Sequence, residues 1–123
     1  MAHILVVDDS ATDQFAVRRL LEDIGHHVTV ANDGQEAVEL ARRVAPDLVF
    51  MDVVMPGLNG FQATRELHRT EETRHIPVIM VTTKDGTADI KWAKRQGASG
   101  YIVKPANRDQ LQTCINKFVK GTS

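Results

Sequence analysis

Short, unbroken apolar runs alternate along this chain with stretches in which apolar residues recur three and four positions apart. Unbroken runs rich in β-branched residues are typical of strands buried on both faces, and the three-and-four spacing is typical of amphipathic helices. The five apolar runs are residues 4–7, 28–31, 48–51, 78–81 and 100–103. Alternation of this kind predicts repeated βα units and therefore a parallel sheet.

Five helical patterns follow the five apolar runs. The first stripe extends from Val17 to Ile24 and stops at Gly25. Residues 10–13 before it have capping-box spacing, with Ser10 able to accept from the first free amides. The other helices are predicted at about residues 37–44, 60–69, 86–95 and 111–118, with only residues 120–123 beyond the last one.

A doubly wound sheet with the strand order 2-1-3-4-5 covers both sheet faces with these five helices and places the first and third strands side by side. This order is adopted from the known flavodoxin-like arrangement and does not follow from the pattern alone. The Rossmann order also suits the periodicity, but it needs a sixth strand that the sequence does not contain. We therefore predict a single α/β domain over residues 1–123, with no effector domain.

Composition narrows the function classes. The 15 basic and 16 acidic residues give a net charge of -1, so no basic footprint for nucleic acid or anionic membrane is present. The single cysteine, Cys114, rules out an internal disulfide and suits a reducing cytoplasm, which is the expected location. No apolar run is long enough for a signal peptide or a membrane span.

Polar residues stand where four of the predicted strands end. Asp8 and Asp9 follow the first strand, Asp52 the third, Thr82 the fourth and Lys104 the fifth. In open α/β sheets the carboxyl ends of strands line the ligand crevice, and the switch point here lies between the first and third strands. Each residue alone could be an ordinary solvated strand end. Together they predict one site with three carboxylates, a hydroxyl and an ammonium.

Such a cluster needs a cation. Two carboxylates about 4 Å apart repel by roughly 1 to 4 kcal/mol, a sizeable part of a typical stability of about 5 to 15 kcal/mol. Lys104 relieves part of this repulsion, and a carboxylate-rich, water-accessible site suits Mg²⁺. Zinc does not fit, because the histidines lack metal spacing and Cys114 lies on a core stripe.

A Mg²⁺ site with a free carboxylate favours phosphoryl transfer, in which Asp52 attacks phosphorus and forms an acyl phosphate. Three alternatives use the same residues. A flavin carrier needs a phosphate-cradling loop after the first strand. Asp8-Asp9-Ser10 stands there, and the two aspartate charges repel phosphate unless a metal ion intervenes. A Mg²⁺-dependent phosphohydrolase normally has a second acid where Val54 stands. A degenerate interaction module is opposed only by the completeness of the acid set.

The chain resembles the receiver domain of bacterial two-component response regulators over its whole length. The matching motifs are Asp8-Asp9, Asp52-x-x-Met55-Pro56-Gly57-x-x-Gly60, Thr82 and Lys104-Pro105. Within that family it looks closest to single-domain, chemotaxis-like (CheY-like) regulators of type IV pilus twitching motility. The stretches that carry the narrower match are residues 54–65, 82–85, Trp92 and 95–98.

The resemblance implies a role for each matching residue. Asp52 would accept phosphate from a histidine kinase and would ligate Mg²⁺ together with Asp9. Asp8 would bind the ion through water, and Val54 would bind it through its backbone carbonyl. Lys104 would contact the phosphate. The chain would thus be a phosphoprotein that catalyses phosphoryl transfer to and from its own Asp52, and not a turnover enzyme.

The resemblance also implies a switch. Thr82 and Tyr101 would be the switch pair, and the peptide bond between Lys104 and Pro105 would be cis. Output would pass through the fourth helix, fifth strand and fifth helix to a protein target, with the pilus machinery as a candidate and no direct contact with nucleic acid. Tyr101 has an alternative role as a static, half-buried ring.

Three positions lie outside this shared set. Val54 cannot orient an attacking water, and Lys84 is long and cationic, so the two are predicted to tune the acyl-phosphate lifetime. We expect slower loss of phosphate than with an asparagine at position 54. Trp92 either covers the sheet edge or, if exposed, forms part of a partner face.

Overall fold

The computed structural model describes residues 1–119 and contains five strands and five helices within them. In chain order they are β1 His3–Val7, α1 Ala11–Asp23, β2 His27–Ala31, α2 Gly34–Val44, β3 Leu48–Met51, α3 Gly60–Arg69, β4 Val78–Thr82, α4 Thr87–Gln96, β5 Gly100–Val103 and α5 Arg108–Phe118. Residues 120–123, predicted to follow the last helix, lie outside the described part. None of the helices in residues 1–119 combines the length and apolarity needed to cross a membrane.

The strands form one parallel sheet in the order β2-β1-β3-β4-β5. This confirms the predicted α/β class, the strand order and the five helices. The register pairs Val7 with Met51, the last residues of β1 and β3. Because parallel partners continue side by side, Asp8 and Asp52 leave the sheet next to each other.

The core lies on both faces of the sheet. On one face Leu5, Val49 and Met80 pack with residues of α2, α3 and α4. On the other face Ile4 and Phe50 pack with residues of α1 and α5. Successive side chains of a strand point to opposite faces, so a strand covered on both sides must be apolar at every position. This explains the unbroken apolar runs in the sequence.

Most of the helices begin at a side chain that accepts a hydrogen bond from their first turn. Ser10, Asp33, Asn59 and Asn107 cap α1, α2, α3 and α5 in this way, whereas Gly86 before α4 provides no side-chain bond. Full capping boxes occur at α3 and α5, with Gln62 and Gln110 as the reciprocal partners.

The expected capping box at residues 10–13 forms only in part. Ser10 Oγ accepts from the Asp13 amide at 3.3 Å, as predicted. The Ser10 amide, however, donates to Asp8 Oδ1 at 2.9 Å and not to the side chain of Asp13. The Asp13 carboxylate lies instead against Lys104.

Candidate functional site

The polar residues predicted at the strand ends meet at the carboxyl edge of the sheet. Asp8 follows β1, Asp52 follows β3, Thr82 ends β4 and Lys104 follows β5. These four strands are consecutive neighbours in the sheet. The parallel arrangement therefore brings the side chains together from segments far apart in the sequence.

Three carboxylates form the centre of the site. One oxygen each of Asp8, Asp9 and Asp52 lies within 4.8 Å of the other two. Asp8 and Asp52 are buried, with 4% and 7% exposure, whereas Asp9 is exposed. An all-oxygen donor set that is open to water on one side fits Mg²⁺, which keeps several of its own waters. The residues present are therefore able to hold this ion.

Backbone hydrogen bonds hold the two buried acids. The Asp52 amide donates to Val7 O at 2.9 Å and extends the ladder between β1 and β3 by one residue. Asp52 Oδ1 accepts from the Val53 amide at 2.7 Å. Asp8 Oδ1 accepts from the Ser10 amide at 2.9 Å. Both carboxylates are thus oriented before any ligand arrives.

Lys104 supplies a positive charge next to these acids. Its Nζ donates to Asp8 Oδ2 and Asp13 Oδ2 at 2.8 Å each, and to Asp52 Oδ2 at 3.3 Å. The lysine side chain is 12% exposed. The peptide bond between Lys104 and Pro105 is cis.

The pKa values of this group follow from burial and charge. Burial raises the pKa of Asp8, and the nearby charge of Asp52 adds to the rise, although the bonds from Lys104 and Ser10 oppose it. Burial also disfavours the charged form of Lys104. The hydrogen bonds to Asp13 and Asp8 and the charge of Asp52 outweigh that effect and raise the pKa of Lys104. Lys104 therefore remains an ammonium at neutral pH.

Asp13 is a site residue that the sequence analysis missed. It lies in the first turn of α1, and its carboxylate accepts from the Lys104 ammonium at 2.8 Å. The sequence signal was its position one helical turn beyond the Asp8-Asp9 pair, where a first-turn side chain faces back toward the strand end. The capping pattern at the same residues offered a competing explanation for this acid.

The connection between β3 and α3 folds back on Asp52. The Gly60 amide donates to Val53 O at 2.9 Å. A Cβ atom at Gly60 would overlap the backbone carbonyl of Asp52, so the helix approaches this closely only because residue 60 is glycine. Val54 lies in this connection and is 57% exposed. Its side chain contributes no hydrogen-bonding group to the site.

The backbone of Lys84 forms hydrogen bonds with the side chains of both Thr82 and Tyr101. Thr82 Oγ1 is buried and accepts from the Lys84 amide at 3.4 Å. The Tyr101 hydroxyl donates to the Lys84 carbonyl at 2.7 Å. Lys84 is predicted from the sequence to act through its side chain, which is exposed. Its backbone instead joins both members of the predicted switch pair.

Trp92 does not lie in the acid site. It is on α4, the residue is 47% exposed, and it lines a groove together with residues of α3.

The fold and the site together define a class of protein. Residues 4–116 match the family described as the response regulator receiver domain. The chain belongs to this family, so it is a receiver domain of two-component signalling. It is 52% identical to Protein PilH of Pseudomonas aeruginosa over 121 residues, which are 98% of this chain and 100% of PilH.

Solved structures agree with this assignment. The chemotaxis protein CheY4 of Vibrio cholerae superimposes with a TM-score of 0.90 at 32% identity, covering 97% of this chain and 99% of CheY4. The receiver domain of the sensor histidine kinase PA1611 of Pseudomonas aeruginosa has a TM-score of 0.88 at 32% identity, covering 95% and 96% of the two chains. That structure has a magnesium ion coordinated in its active-site cleft.

Proposed function

We propose that Asp52 is the phosphoacceptor of a two-component phosphorelay. The observation that carries this proposal is the position of the Asp52 carboxylate. It is buried next to Asp8 and Asp9 and lies 3.3 Å from the Lys104 ammonium. Asp52 Oδ1 is held by the Val53 amide, so the carboxylate is fixed for attack.

The donor is a phosphohistidine of a histidine kinase, either a sensor kinase or a chemotaxis-like hybrid kinase. A carboxylate oxygen of Asp52 attacks phosphorus and forms an O–P bond. The N–P bond of phosphohistidine breaks, and its electron pair returns to the imidazole nitrogen, which then takes up a proton. The product is an acyl phosphate on Asp52. Lys104 balances charge on the transferred oxygens.

Mg²⁺ fits the donors at this site. The carboxylates of Asp9 and Asp52, the backbone carbonyl of Val54 and, through water, Asp8 would hold it. When bound, the ion supplies positive charge to the phosphoryl oxygens. The chain's own contribution is to orient these donors and to place Lys104 beside them.

Phosphorylation would act on Thr82 and Tyr101. A phosphoryl group adds roughly -1.5 to -2 charges and three acceptor oxygens. The Thr82 hydroxyl then has a stronger partner than the Lys84 amide at 3.4 Å. A movement of Thr82 would shift the backbone of Lys84, whose carbonyl accepts the hydrogen bond of the Tyr101 hydroxyl. Shifting an equilibrium from 1:99 to 99:1 takes about 5.5 kcal/mol, which a few charge-assisted bonds are able to supply.

The output surface consists of α4, β5 and α5. Tyr101 lies on β5, and α4 follows the connection that contains Lys84. The partner there is a downstream protein, and the likeness to PilH supports a role in type IV pilus twitching motility. The protein is not a turnover enzyme in this proposal, because phosphoryl transfer to and from Asp52 modifies only the chain itself.

The proposal is tested by incubating the protein with Mg²⁺ and acetyl phosphate and measuring its intact mass. We expect a gain of one phosphoryl group in the wild type and none in Asp52→Asn. Asp85→Asn is the matched control, because Asp85 is an exposed acid near the same edge of the sheet but outside the acid cluster. It should be modified like the wild type.

Two results would contradict the proposal. Labelling that persists in Asp52→Asn would place the phosphoryl group elsewhere. Continuous release of phosphate with rapid turnover would favour a phosphohydrolase.

A further inference from the structure

A groove between α3 and α4 carries an unusual concentration of positive charge. Its volume is about 290 Å³, and none of its lining residues is acidic. The lining residues are Arg65, His68, Arg69, Trp92, Arg95 and Gln96. The groove is separate from the acid site, whose residues do not line it.

Helical spacing explains why these side chains share one groove. Arg65, His68 and Arg69 are spaced i, i+3, i+4 on α3, so they lie on one face of that helix. Trp92, Arg95 and Gln96 have the same spacing on α4. The two faces point toward each other across the groove.

The C-terminal end of α4 packs closely on α3. Gly97 ends α4 with a positive φ of 106°. A Cβ atom at this position would lie 2.5 Å from His68 Cγ, so only glycine permits this approach. The contact fixes the spacing between the two helices and makes the groove a stable feature of the fold.

The three arginines of the groove have no acidic partner among residues 1–119. No ion pair or side-chain hydrogen bond of Arg65, Arg69 or Arg95 is seen within residues 1–119. Arg18, Arg19 and Arg42, by contrast, pair with Glu22, Asp23 and Glu72. Three neighbouring guanidinium groups without carboxylates repel each other, and an anionic ligand would relieve that repulsion.

We propose that this groove binds an acidic peptide segment of a partner protein. Guanidinium groups bind carboxylates through paired hydrogen bonds. The half-exposed ring of Trp92 provides an apolar surface for a hydrophobic side chain between the acids. Tryptophan and arginine are the residues most enriched at the energetic centres of protein interfaces. The ligand is therefore a segment that combines glutamate or aspartate with an apolar residue.

The charge of the whole chain favours a peptide over nucleic acid or an anionic membrane. The net charge is -1, so no extended positive field attracts a polyanion. A groove of about 290 Å³ accommodates a few side chains and not a duplex. The match in charge is local, which suits a short segment.

The test uses the full chain and a short synthetic peptide of repeated Glu-Glu-Leu triplets. Trp92 is the single tryptophan, so its fluorescence reports directly on the groove. We expect saturable binding that weakens as salt is added. A peptide of the same length with Lys-Lys-Leu triplets should not bind. Backbone amide shifts should change in α3 and α4 and not in α1.

Arg69→Glu is compared with Arg43→Glu. Both are exposed arginines in the last turn of a helix, so both variants lose the same interaction with the helix dipole. Arg69→Glu should weaken peptide binding by about tenfold or more, whereas Arg43→Glu should stay within about twofold of wild type. Arg95→Glu, on the facing helix, should behave like Arg69→Glu.

Three outcomes would overturn the proposal. Equal losses for Arg69→Glu and Arg43→Glu would mean that only net charge matters. Wild-type binding by Arg95→Glu would exclude the groove. Displacement of the peptide by inorganic pyrophosphate, at a concentration far below that of the peptide, would make the groove a phosphate site.

Discussion

The connections that follow Asp52 and Thr82 leave neighbouring strands at the same edge of the sheet, but the structure holds them differently. After Asp52, the chain is fixed by the 2.7 Å bond to the Val53 amide and by the 2.9 Å bond between Gly60 and Val53. The connection ends in the capping box of Asn59. The phosphoacceptor candidate therefore lies on a firmly bonded segment.

The second connection has fewer restraints. Residues 83–85 are exposed, and the bond between Thr82 Oγ1 and the Lys84 amide is 3.4 Å long. Gly86 gives α4 no side-chain cap. Segments with exposed backbone bonds open at low free-energy cost and are the ones that move in regulated proteins. We infer that the site combines a fixed acceptor with a displaceable neighbour.

Replacing Lys104 should have the largest effect, because this lysine follows β5 and reaches across to the acids that follow β1 and β3. Lys104→Met leaves Asp8 and Asp52 buried without their cation, and it should lower the free energy of unfolding by about 3 kcal/mol in the absence of divalent ions. Urea denaturation measures this loss. Added Mg²⁺ should recover part of it, because the proposed site for the ion consists of the same carboxylates.

Arg18→Met is the control for Lys104→Met, since it removes an ion pair whose side chains are 47% and 41% exposed. Its cost should be about 0.5 kcal/mol or less. Similar losses in both variants would show that Lys104 does not neutralise buried acids.

The helices that follow the two connections differ in capping, so changes at their caps should affect the free energy of unfolding with opposite signs. Asn59→Ala removes the capping box of α3 and should lower the free energy of unfolding by about 1 kcal/mol. Gly86→Ser gives α4 a capping hydroxyl at an extended φ of -72° and should raise it by a few tenths of a kcal/mol. Chemical denaturation measures both. A loss of stability in Gly86→Ser would contradict this prediction.

The lifetime of the acyl phosphate tests the role of Val54 on the fixed connection. The exposed valine offers no group to orient water, so Val54→Asn should speed the loss of phosphate roughly threefold. Release of phosphate from the labelled protein measures the rate, and Val54→Ala controls for the smaller side chain. Equal lifetimes for wild type and Val54→Asn would end this hypothesis.

The pKa of Tyr101 tests the position of its ring against the connection that follows Thr82. Burial raises its pKa, with further contributions from the charges of Asp89, Asp85 and Asp52. A raised pKa means that folding favours the protonated ring. Its contribution to stability is complete below the unfolded value of about 10 and is lost as the pH rises through the folded value.

Tyr101 is the single tyrosine, so the ultraviolet absorbance of tyrosinate measures its pKa directly. Asp89→Asn should shift the titration toward lower pH, because it removes the largest of the charge contributions. A pKa at or below that of a tyrosine peptide would contradict the half-buried, hydrogen-bonded position of the ring.

Much of the fold could be predicted because sheet burial leaves a direct pattern in the sequence. A strand covered on both faces has no polar positions, as residues 48–51 show. The strand order itself came from a known arrangement. The strand starts at His3 and His27 were missed, since backbone pairing between these two residues extends the ladder beyond the apolar runs.

The site was predictable where a residue directly follows a strand, as Asp8, Asp52 and Lys104 do. Asp13 was not, because its contact with Lys104 depends on the direction in which α1 leaves the sheet. The arginine groove was missed for a similar reason. Arg69 and Arg95 come from separate helices, and only the sheet order makes those helices neighbours.

The bonding of Lys104 has one further consequence. An ammonium has three N–H bonds, and here they point to Asp8, Asp13 and Asp52. A phosphoryl oxygen can therefore gain this donor only by replacing one of the three carboxylates. Asp52 makes the longest of these bonds, 3.3 Å against 2.8 Å to Asp8 and Asp13, and it is the carboxylate that would carry the phosphoryl group. A phosphoryl oxygen on Asp52 would then take over the third N–H of Lys104, while the bonds to Asp8 and Asp13 keep the ammonium beside the acceptor.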